Sequence, residues 1–213
     1  MSRTINGLAI EKCAAMKLFA SYLERDYDYW LKRLLQIETF KTATDELDKT
    51  IRALSTYATE IPLLTNRQPM GNFRVMLPYN NPLYSLILYT CGISLAGNKV
   101  LVRPSRLTFE YIYDFVRMYA SVFDTLDIQL YYGSGKDFIY SSINQVETGG
   151  ILFTGKYDNV SQIIDLLPDN QRLIYCGSGV SPFVVGCDVN SIPFAVELAV
   201  TSRCYNSGQD CLC

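Results

Sequence analysis

The segment LAGNKVLVRPS, residues 95–105, gives the clearest indication of the fold. An apolar run ends at Gly97, and glycine is the residue that most often closes a helix because it takes left-handed backbone angles without strain. Lys99–Arg103 then has the composition of a buried strand, and it ends in a cation followed by a proline. A helix that leads directly into such a strand is typical of α/β connections, of which this is a common form.

The same alternation continues on both sides of this segment. Short apolar runs predict further strands at Phe73–Leu77, Asp127–Tyr132, Gly149–Phe153, Arg172–Cys176 and Phe183–Gly186. Helical spacing of apolar residues predicts helices at Pro82–Ala96, Thr108–Ser121, Lys136–Asn144, Asn159–Leu167 and Ser191–Cys204. Strands and helices that alternate at this spacing indicate βαβ units, and therefore an α/β fold with a mostly parallel sheet.

The first part of the chain has a different pattern. Residues 9–37 and about 43–58 carry apolar positions at helical spacing, and the second stretch has a helix start near Thr44 with two acidic residues in its first turn. Residues 60–72 contain two prolines and a glycine and have the composition of a linker. We therefore expect an N-terminal helical segment that precedes the sheet.

Composition excludes several classes of function. The 213 residues include no histidine, which removes serine–histidine and cysteine–histidine catalysis and the commonest metal ligand, so no metal site is predicted. Seven cysteines at irregular spacing indicate reduced thiols and a cytoplasmic protein. A net charge of −2 without a basic run, and apolar runs shorter than the roughly 18 residues of a membrane span, predict no nucleic-acid or membrane partner.

Four segments, three at predicted strand ends and one in a loop after a predicted helix, have residues suited to chemistry, and each also has a purely structural explanation. Pro78-Tyr79-Asn80 forms a strand-to-helix turn, and Arg103 is a cation at a strand end where a phosphate or ribose would bind. Phe153–Gly155 is followed by Lys156 at a helix start, where backbone N–H groups and a lysine make an anion site. Gly208–Cys211 places a cysteine in a polar loop, although loop cysteines are more often inert than catalytic.

In this order, the four segments together resemble the aldehyde dehydrogenase superfamily. Pro78-Tyr79-Asn80 resembles the family's Pro-Trp-Asn motif, and Ala96–Arg103 resembles its Ala-Gly-Asn strand that leads to a lysine. Phe153–Gly155 matches its Phe-Thr-Gly turn, and Gly208–Cys211 matches its Gly-Gln-x-Cys motif. The segment Ser181–Val185 and the Phe40–Leu47 region are also similar, so the resemblance covers nearly the whole chain. It implies a Rossmann-like, mostly parallel sheet with flanking helices.

The resemblance also implies the roles of individual residues. Cys211 would be the nucleophile that attacks the aldehyde carbonyl, forming a thiohemiacetal and then a thioester, and Asn80 would donate a hydrogen bond to the oxyanion. The cofactor would be NAD or NADP. Its candidate binding residues are Pro78, Tyr79, Arg103, Pro104, Ser105, Arg106, Gly133, Phe153, Thr154, Gly155 and Lys156.

Three positions and one segment depart from the family pattern. Arg103 replaces a lysine, Arg106 replaces the glutamate that binds the adenosine ribose in NAD-preferring members, and Lys156 replaces a serine. An arginine at position 106 suits a 2′-phosphate, so NADP is considered beside NAD. Residues 174–182, which match the segment that holds the general-base glutamate, contain no carboxylate. This absence favours acylating or acyl-reducing chemistry over hydrolysis, but an inactive member is an equally compatible alternative.

The resemblance predicts a division of the chain. Residues 1–190 would form the cofactor-binding domain, with the N-terminal helices at 1–60, and residues 191–213 would begin an incomplete catalytic domain. The expected partners are a small-molecule aldehyde or activated acyl substrate and either a second copy or a complementing C-terminal half. We expect the 213-residue chain alone to have no dehydrogenase turnover. A non-catalytic nucleotide-binding or assembly module is the alternative function.

Overall fold

The computed structural model describes residues 5–145, 147–177 and 182–208. Its sheet has five strands: β1 (Asn72–Met76), β2 (Lys99–Arg103), β3 (Ile128–Leu130), β4 (Thr148–Gly155) and β5 (Arg172–Gly177). Their spatial order is β3-β2-β1-β4-β5, and every neighbouring pair is parallel. This arrangement confirms the prediction of a Rossmann-like α/β fold.

Helices provide the crossovers that parallel strands require. The N-terminal helices are α1 (Ile5–Arg25), α2 (Tyr27–Leu34) and α3 (Phe40–Thr56), followed by a 3₁₀ segment at Tyr57–Leu64. Along the sheet lie α4 (Pro82–Leu95), α5 (Phe109–Met118), α6 (Ala120–Thr125), α7 (Gly135–Asn144) and α8 (Tyr157–Ile164). The described part of the chain continues through α9 (Ile192–Cys204) and a 3₁₀ segment at Tyr205–Gly208. No described helix combines the length and apolar character needed to cross a membrane.

Three sequence predictions were wrong in detail. Residues 182–186 have no regular secondary structure, so the strand predicted at Phe183–Gly186 is absent. The helix predicted to start near Thr44 begins at Phe40, because the Thr39 hydroxyl accepts the Thr42 N–H at 3.3 Å and caps it. The single helix predicted at 108–121 is two helices, α5 and α6, which meet at Tyr119.

The two faces of the sheet bury different clusters, because alternate strand residues point to opposite sides. Val75, Val102 and Leu152 contribute to the larger cluster, which the N-terminal helices and α4–α6 share. Ile151 and Phe153 point the other way, into a smaller cluster with α7 and α8. The helices on both faces explain why the strands are nearly continuous apolar runs in the sequence.

Buried polar contacts fix the N-terminal helices against the sheet layer. Lys12 is fully buried, and its ammonium donates to the Ser94 carbonyl at 3.0 Å and pairs with Asp127 at 3.0 Å. The Trp30 indole N–H donates to the Tyr119 hydroxyl at 2.8 Å. That hydroxyl lies 2.9 Å from Asp26, to which it donates. These contacts join α1 and α2 to the α4–β3 side of the molecule, so the N-terminal segment and the sheet share a continuous core.

Candidate functional site

The sheet has one point at which the chain changes direction. From β1 the chain proceeds outward to β2 and β3, and it then returns to place β4 on the other side of β1. In open parallel sheets, ligands bind outside the carboxyl ends of the strands at such a switch point. The switch point here lies between Met76 and Gly155, so the turns that follow these residues border the expected binding crevice.

The turn after β1 carries the predicted oxyanion donor. Asn80 is half-buried, Tyr79 is exposed, and Asn81 adopts the left-handed conformation with φ of 47° immediately before α4. The backbone N–H of Leu77 donates to the Arg103 carbonyl at 3.1 Å, which continues the β1–β2 pairing beyond the strands. The turn that holds Asn80 is therefore tied to the end of β2.

Asn80 opens onto a cavity of about 280 Å³, which we call the asparagine cavity. Asn206 lines the same cavity from the 3₁₀ segment at Tyr205–Gly208, where it is buried and has a φ of 49°. The Thr108 hydroxyl there is buried and has no hydrogen-bond partner among the described residues. The full lining is Ile37, Glu38, Tyr79, Asn80, Leu107, Thr108 and Asn206.

The predicted nucleophile, Cys211, lies outside the described residues. Tyr205, six residues earlier, is held in place because its hydroxyl donates to the Asp45 carboxylate at 2.6 Å. Lys41 and Lys49 lie over the Tyr205 ring at 5.9 and 5.6 Å from its centroid. The structure therefore brings Tyr205 against α3 and Asn206 beside Asn80.

Two glutamates beside the asparagine cavity were not predicted from the sequence. Glu46 of α3 is 1% exposed, and one of its oxygens accepts the backbone N–H groups of Leu83 and Tyr84 at 2.6 and 2.9 Å. Glu38 accepts the N–H of Asn81 at 3.2 Å. Burial, the nearby Glu38 charge and a hydrogen bond with Glu38 raise the pKa of Glu46 well above its ordinary value.

A second cavity lies between α7 and α8, on the other face of the sheet, and we call it the interhelical cavity. Its volume is about 450 Å³. It has an apolar base with polar groups at its margin, as small-molecule sites commonly do. Its lining residues are Met76, Gly135, Lys136, Ile139, Tyr140, Phe153, Asn159, Gln162, Ile163 and Leu166.

Arg103 lies beside Gly135, one of the residues that line the interhelical cavity. A methyl group added at Gly135 would stand 3.3 Å from the guanidinium carbon, so the glycine lets the cation approach the start of α7. The Arg103 Nε is buried and has no hydrogen-bond partner among the described residues. An unused guanidinium donor beside an apolar cavity suits a ligand that combines a planar ring with phosphate or ribose oxygens, so this site fits a dinucleotide.

The remaining predicted cofactor residues line neither cavity. Arg106 is exposed between β2 and α5, and Lys156 is exposed at the start of α8. Gly133 lies against the Tyr131 ring, where a side chain would clash at 2.5 Å. The others in this group are Pro78, Pro104, Ser105, Thr154 and Gly155, which follow or end strands at the same edge of the sheet.

The fold is that of a parallel α/β protein whose sheet has a switch point of the kind at which nucleotides bind. The sequence profile of the aldehyde dehydrogenase family matches residues 11–213, and the chain belongs to that family. The match includes the segment that carries Cys211.

Individual relatives are similar over most of the chain. The 3,6-anhydro-alpha-L-galactose dehydrogenase of Streptomyces coelicolor is 29% identical over 153 residues, which cover 68% of this chain and 30% of the relative. The 2-aminomuconic semialdehyde dehydrogenase of Bos taurus is 29% identical over 152 residues, which cover 70% of this chain and 31% of the relative. The chain thus spans about a third of the length of these curated relatives.

Solved structures share the fold. The succinic semialdehyde dehydrogenase of Streptococcus pyogenes, solved in complex with NADP+, matches with a TM-score of 0.84 at 18% identity, covering 96% of this chain and 48% of that one. A salicylaldehyde dehydrogenase of Pseudomonas putida G7 matches with a TM-score of 0.80 at 17% identity, covering 95% of this chain and 46% of that one.

Proposed function

We propose that this chain contributes the dinucleotide site and the nucleophile of an NAD(P)-dependent aldehyde oxidoreductase. The observation that carries the proposal is the asparagine cavity shared by Asn80 and Asn206, because Asn206 lies five residues before Cys211. A cysteine delivered from this segment would meet an amide donor at the edge of the sheet where dinucleotides bind.

The chemistry follows from these two groups. The Cys211 thiolate adds to the aldehyde carbon, and the carbonyl electron pair moves to oxygen and forms an oxyanion. The Asn80 amide N–H donates to that oxyanion, an interaction worth about 3 kcal/mol in the transition state when the donor is held in place. A nicotinamide, when bound, would supply the acceptor for a hydride from the substrate carbon, and loss of that hydride from the thiohemiacetal would leave a thioester on Cys211.

Residues of the interhelical cavity would hold the cofactor. The apolar surface between α7 and α8 suits the adenine, and the unused Nε donor of Arg103 suits ribose or phosphate oxygens. Arg103 and Arg106 together favour the additional 2′-phosphate of NADP, because guanidinium groups bind phosphate with two parallel hydrogen bonds. The relative from Streptococcus pyogenes with NADP+ has the same fold.

The acceptor of the acyl group is proposed from the sequence between Ile174 and Pro182. This segment has no carboxylate to activate water, so hydrolysis of the thioester should be slow. A thiol acceptor such as coenzyme A needs less help from a general base. Acyl transfer to such a thiol, or the reverse reduction of an activated acyl group, is therefore favoured over release of a free acid.

Titration with NAD and NADP, followed by Trp30 fluorescence and thermal shift, tests the cofactor site. We expect saturable binding with NADP favoured, and at least a tenfold loss in Arg103→Gln, because a charge-assisted hydrogen bond contributes roughly 1.5–3 kcal/mol. Lys99→Gln removes the same charge from the opposite end of β2 and serves as the matched control. The absence of binding at millimolar cofactor, or equal losses in both variants, would contradict the proposed site.

The missing carboxylate also favours a second candidate, a nucleotide-binding module without turnover. Alkylation with iodoacetamide distinguishes the two, since an activated thiolate at Cys211 should react faster near neutral pH than the exposed Cys187 and Cys204. Cys91 provides an internal reference, because burial raises the pKa of its thiol to about 12. Equal alkylation rates at Cys187, Cys204 and Cys211 would favour the non-catalytic module.

The partners of this chain are proposed from the surface of α9. Phe194, Val196, Leu198 and Val200 are between 42 and 58% exposed on this helix, and Ala195 is its buried apolar residue. Apolar helix surface of this extent is typical of a segment that packs against further protein. A second copy or a complementing C-terminal half would cover it, and sedimentation of the chain with and without that half separates the two.

A further inference from the structure

The start of α4 is held by carboxyl groups from another part of the chain. Helices need acceptors for their first N–H groups, and the usual source is the side chain of the residue before the helix. Asn81 occupies that position, and its side chain makes no capping hydrogen bond. Glu46 accepts from Leu83 and Tyr84 instead, and Glu38 accepts from Asn81.

These contacts surround the residue that the proposed function requires to be rigid. Asn80 precedes the three amides by one, three and four positions, and its carbonyl accepts the Ser85 hydroxyl at 3.4 Å. The left-handed backbone at Asn81 makes the turn dependent on its surroundings, because a non-glycine residue holds such angles only where other contacts enforce them. Glu38 also lines the asparagine cavity.

We propose that Glu46, assisted by Glu38, is a positioning residue that holds the Asn80 amide in place for the oxyanion, an inference that rests on the proposed function. An oxyanion donor acts only when it is fixed within a fraction of an ångström before the reaction. Glu46 supplies two of the hydrogen bonds that fix the turn, and it reaches them from α3, a helix that packs along α4. Its role is indirect, because its described contacts are to backbone amides and to Glu38.

Burial beside Glu38 favours the protonated form of Glu46. Two ionised carboxylates would repel each other in a buried site, whereas a single proton between them forms a hydrogen bond. A glutamine at position 46 can still accept the two amides and donate to Glu38, so Glu46→Gln preserves the geometry. Glu46→Ala removes it.

The test follows the attack of Cys211 on an activated ester, which needs no cofactor. With p-nitrophenyl acetate, the cysteine sulfur bonds to the acetyl carbon, the ester C–O bond breaks, and p-nitrophenolate leaves with the electron pair. The rate of the first-turnover burst measures oxyanion stabilisation. We expect losses of roughly 100-fold in Asn80→Ala and about tenfold in Glu46→Ala, with Glu46→Gln within about threefold of the unmodified protein.

A double variant separates positioning from simple destabilisation. Glu46→Ala should slow the Asn80→Ala protein no further, because both changes remove the same donor. Leu54→Ala, at a buried position on the same helix, is the matched control: it should lower the melting temperature similarly and leave the burst within about twofold.

The possible failures are distinguishable. If Glu46→Ala lowers the burst rate tenfold both in the unmodified protein and in the Asn80→Ala variant, the positioning role is overturned and the proposed function remains intact. Loss of rate in Leu54→Ala to the same extent as in Glu46→Ala would also overturn it. No burst in the unmodified protein, or a burst that survives Cys211→Ser or is unchanged in Asn80→Ala, would refute the proposed function and this inference with it.

Discussion

Replacing Glu46 with glutamine should change how the stability of the protein depends on pH. Glu46 is buried beside Glu38, and its pKa in the folded protein is raised well above the ordinary value of 4.5. A carboxyl of this kind binds its proton more tightly in the folded state than in the unfolded state. The unmodified protein therefore loses stability as the pH rises from about 4.5 towards the folded pKa, whereas glutamine has no proton to lose.

The size of the effect follows from the single proton involved. Within the window between the two pKa values, the free energy of unfolding of the unmodified protein should fall relative to that of Glu46→Gln by about 1.4 kcal/mol per pH unit. Below pH 4.5 the difference should be constant, because Glu46 is protonated in both states. Glu38→Gln should lower the upper pH limit of this window, because the Glu38 charge contributes to raising the pKa of Glu46 in the folded protein.

Urea unfolding at half-unit steps from pH 4 to pH 8, followed by tryptophan fluorescence, measures these differences. Glu24→Gln removes an exposed carboxyl from α1 and is the matched control for a change in net charge. Stability curves for the unmodified protein and Glu46→Gln that remain parallel between pH 5 and pH 7 would refute the reasoning. A difference that grows as the pH falls would refute it as well, because the sign would be reversed.

Two further predictions concern Arg103 and Arg74. Gly135→Ala should weaken dinucleotide binding roughly threefold without a change in melting temperature, because the new methyl group displaces the Arg103 guanidinium by a few tenths of an ångström. Gly92→Ala, whose methyl group would make an ordinary 3.9 Å contact, should leave dinucleotide binding unchanged. Arg74 is 8% exposed, its Nε has no partner among the described residues, and its guanidinium donates to the neutral Gln145 amide. Arg74→Met should therefore raise the melting temperature by roughly 2–6 °C, and a lower value would contradict this account.

The strands were predictable because apolar runs in a sheet covered on both faces are short and continuous. Lys99–Arg103 was predicted with its observed bounds, and both ends of each of the other observed strands lie within two residues of their predicted positions. The run at Phe183–Gly186 has the same composition but forms no strand, and β5 remains the edge of the sheet. Apolar composition indicates burial against something, and it does not identify a strand partner.

The glutamate pair shows what sequence reasoning missed at the site. Acidic residues on an amphipathic helix usually lie on its exposed face, so the helical pattern did not predict that the Glu46 side chain is buried. The signal was present in its spacing, since Thr42, Glu46 and Thr50 follow at intervals of four and all three are buried. The contact with α4 itself could not be predicted, because nothing in the local sequence connects position 46 with positions 83 and 84.

The contact between Tyr205 and Asp45 also bears on the order in which the protein folds. It joins residues 160 positions apart, and closing so long a loop costs conformational entropy that only the finished sheet can offset. During synthesis α3 and β1 emerge well before the segment that carries Asn206. The asparagine cavity is therefore expected to be assembled late and opened early, so amide hydrogen exchange at Tyr205 and Asn206 should report local opening before the strands exchange.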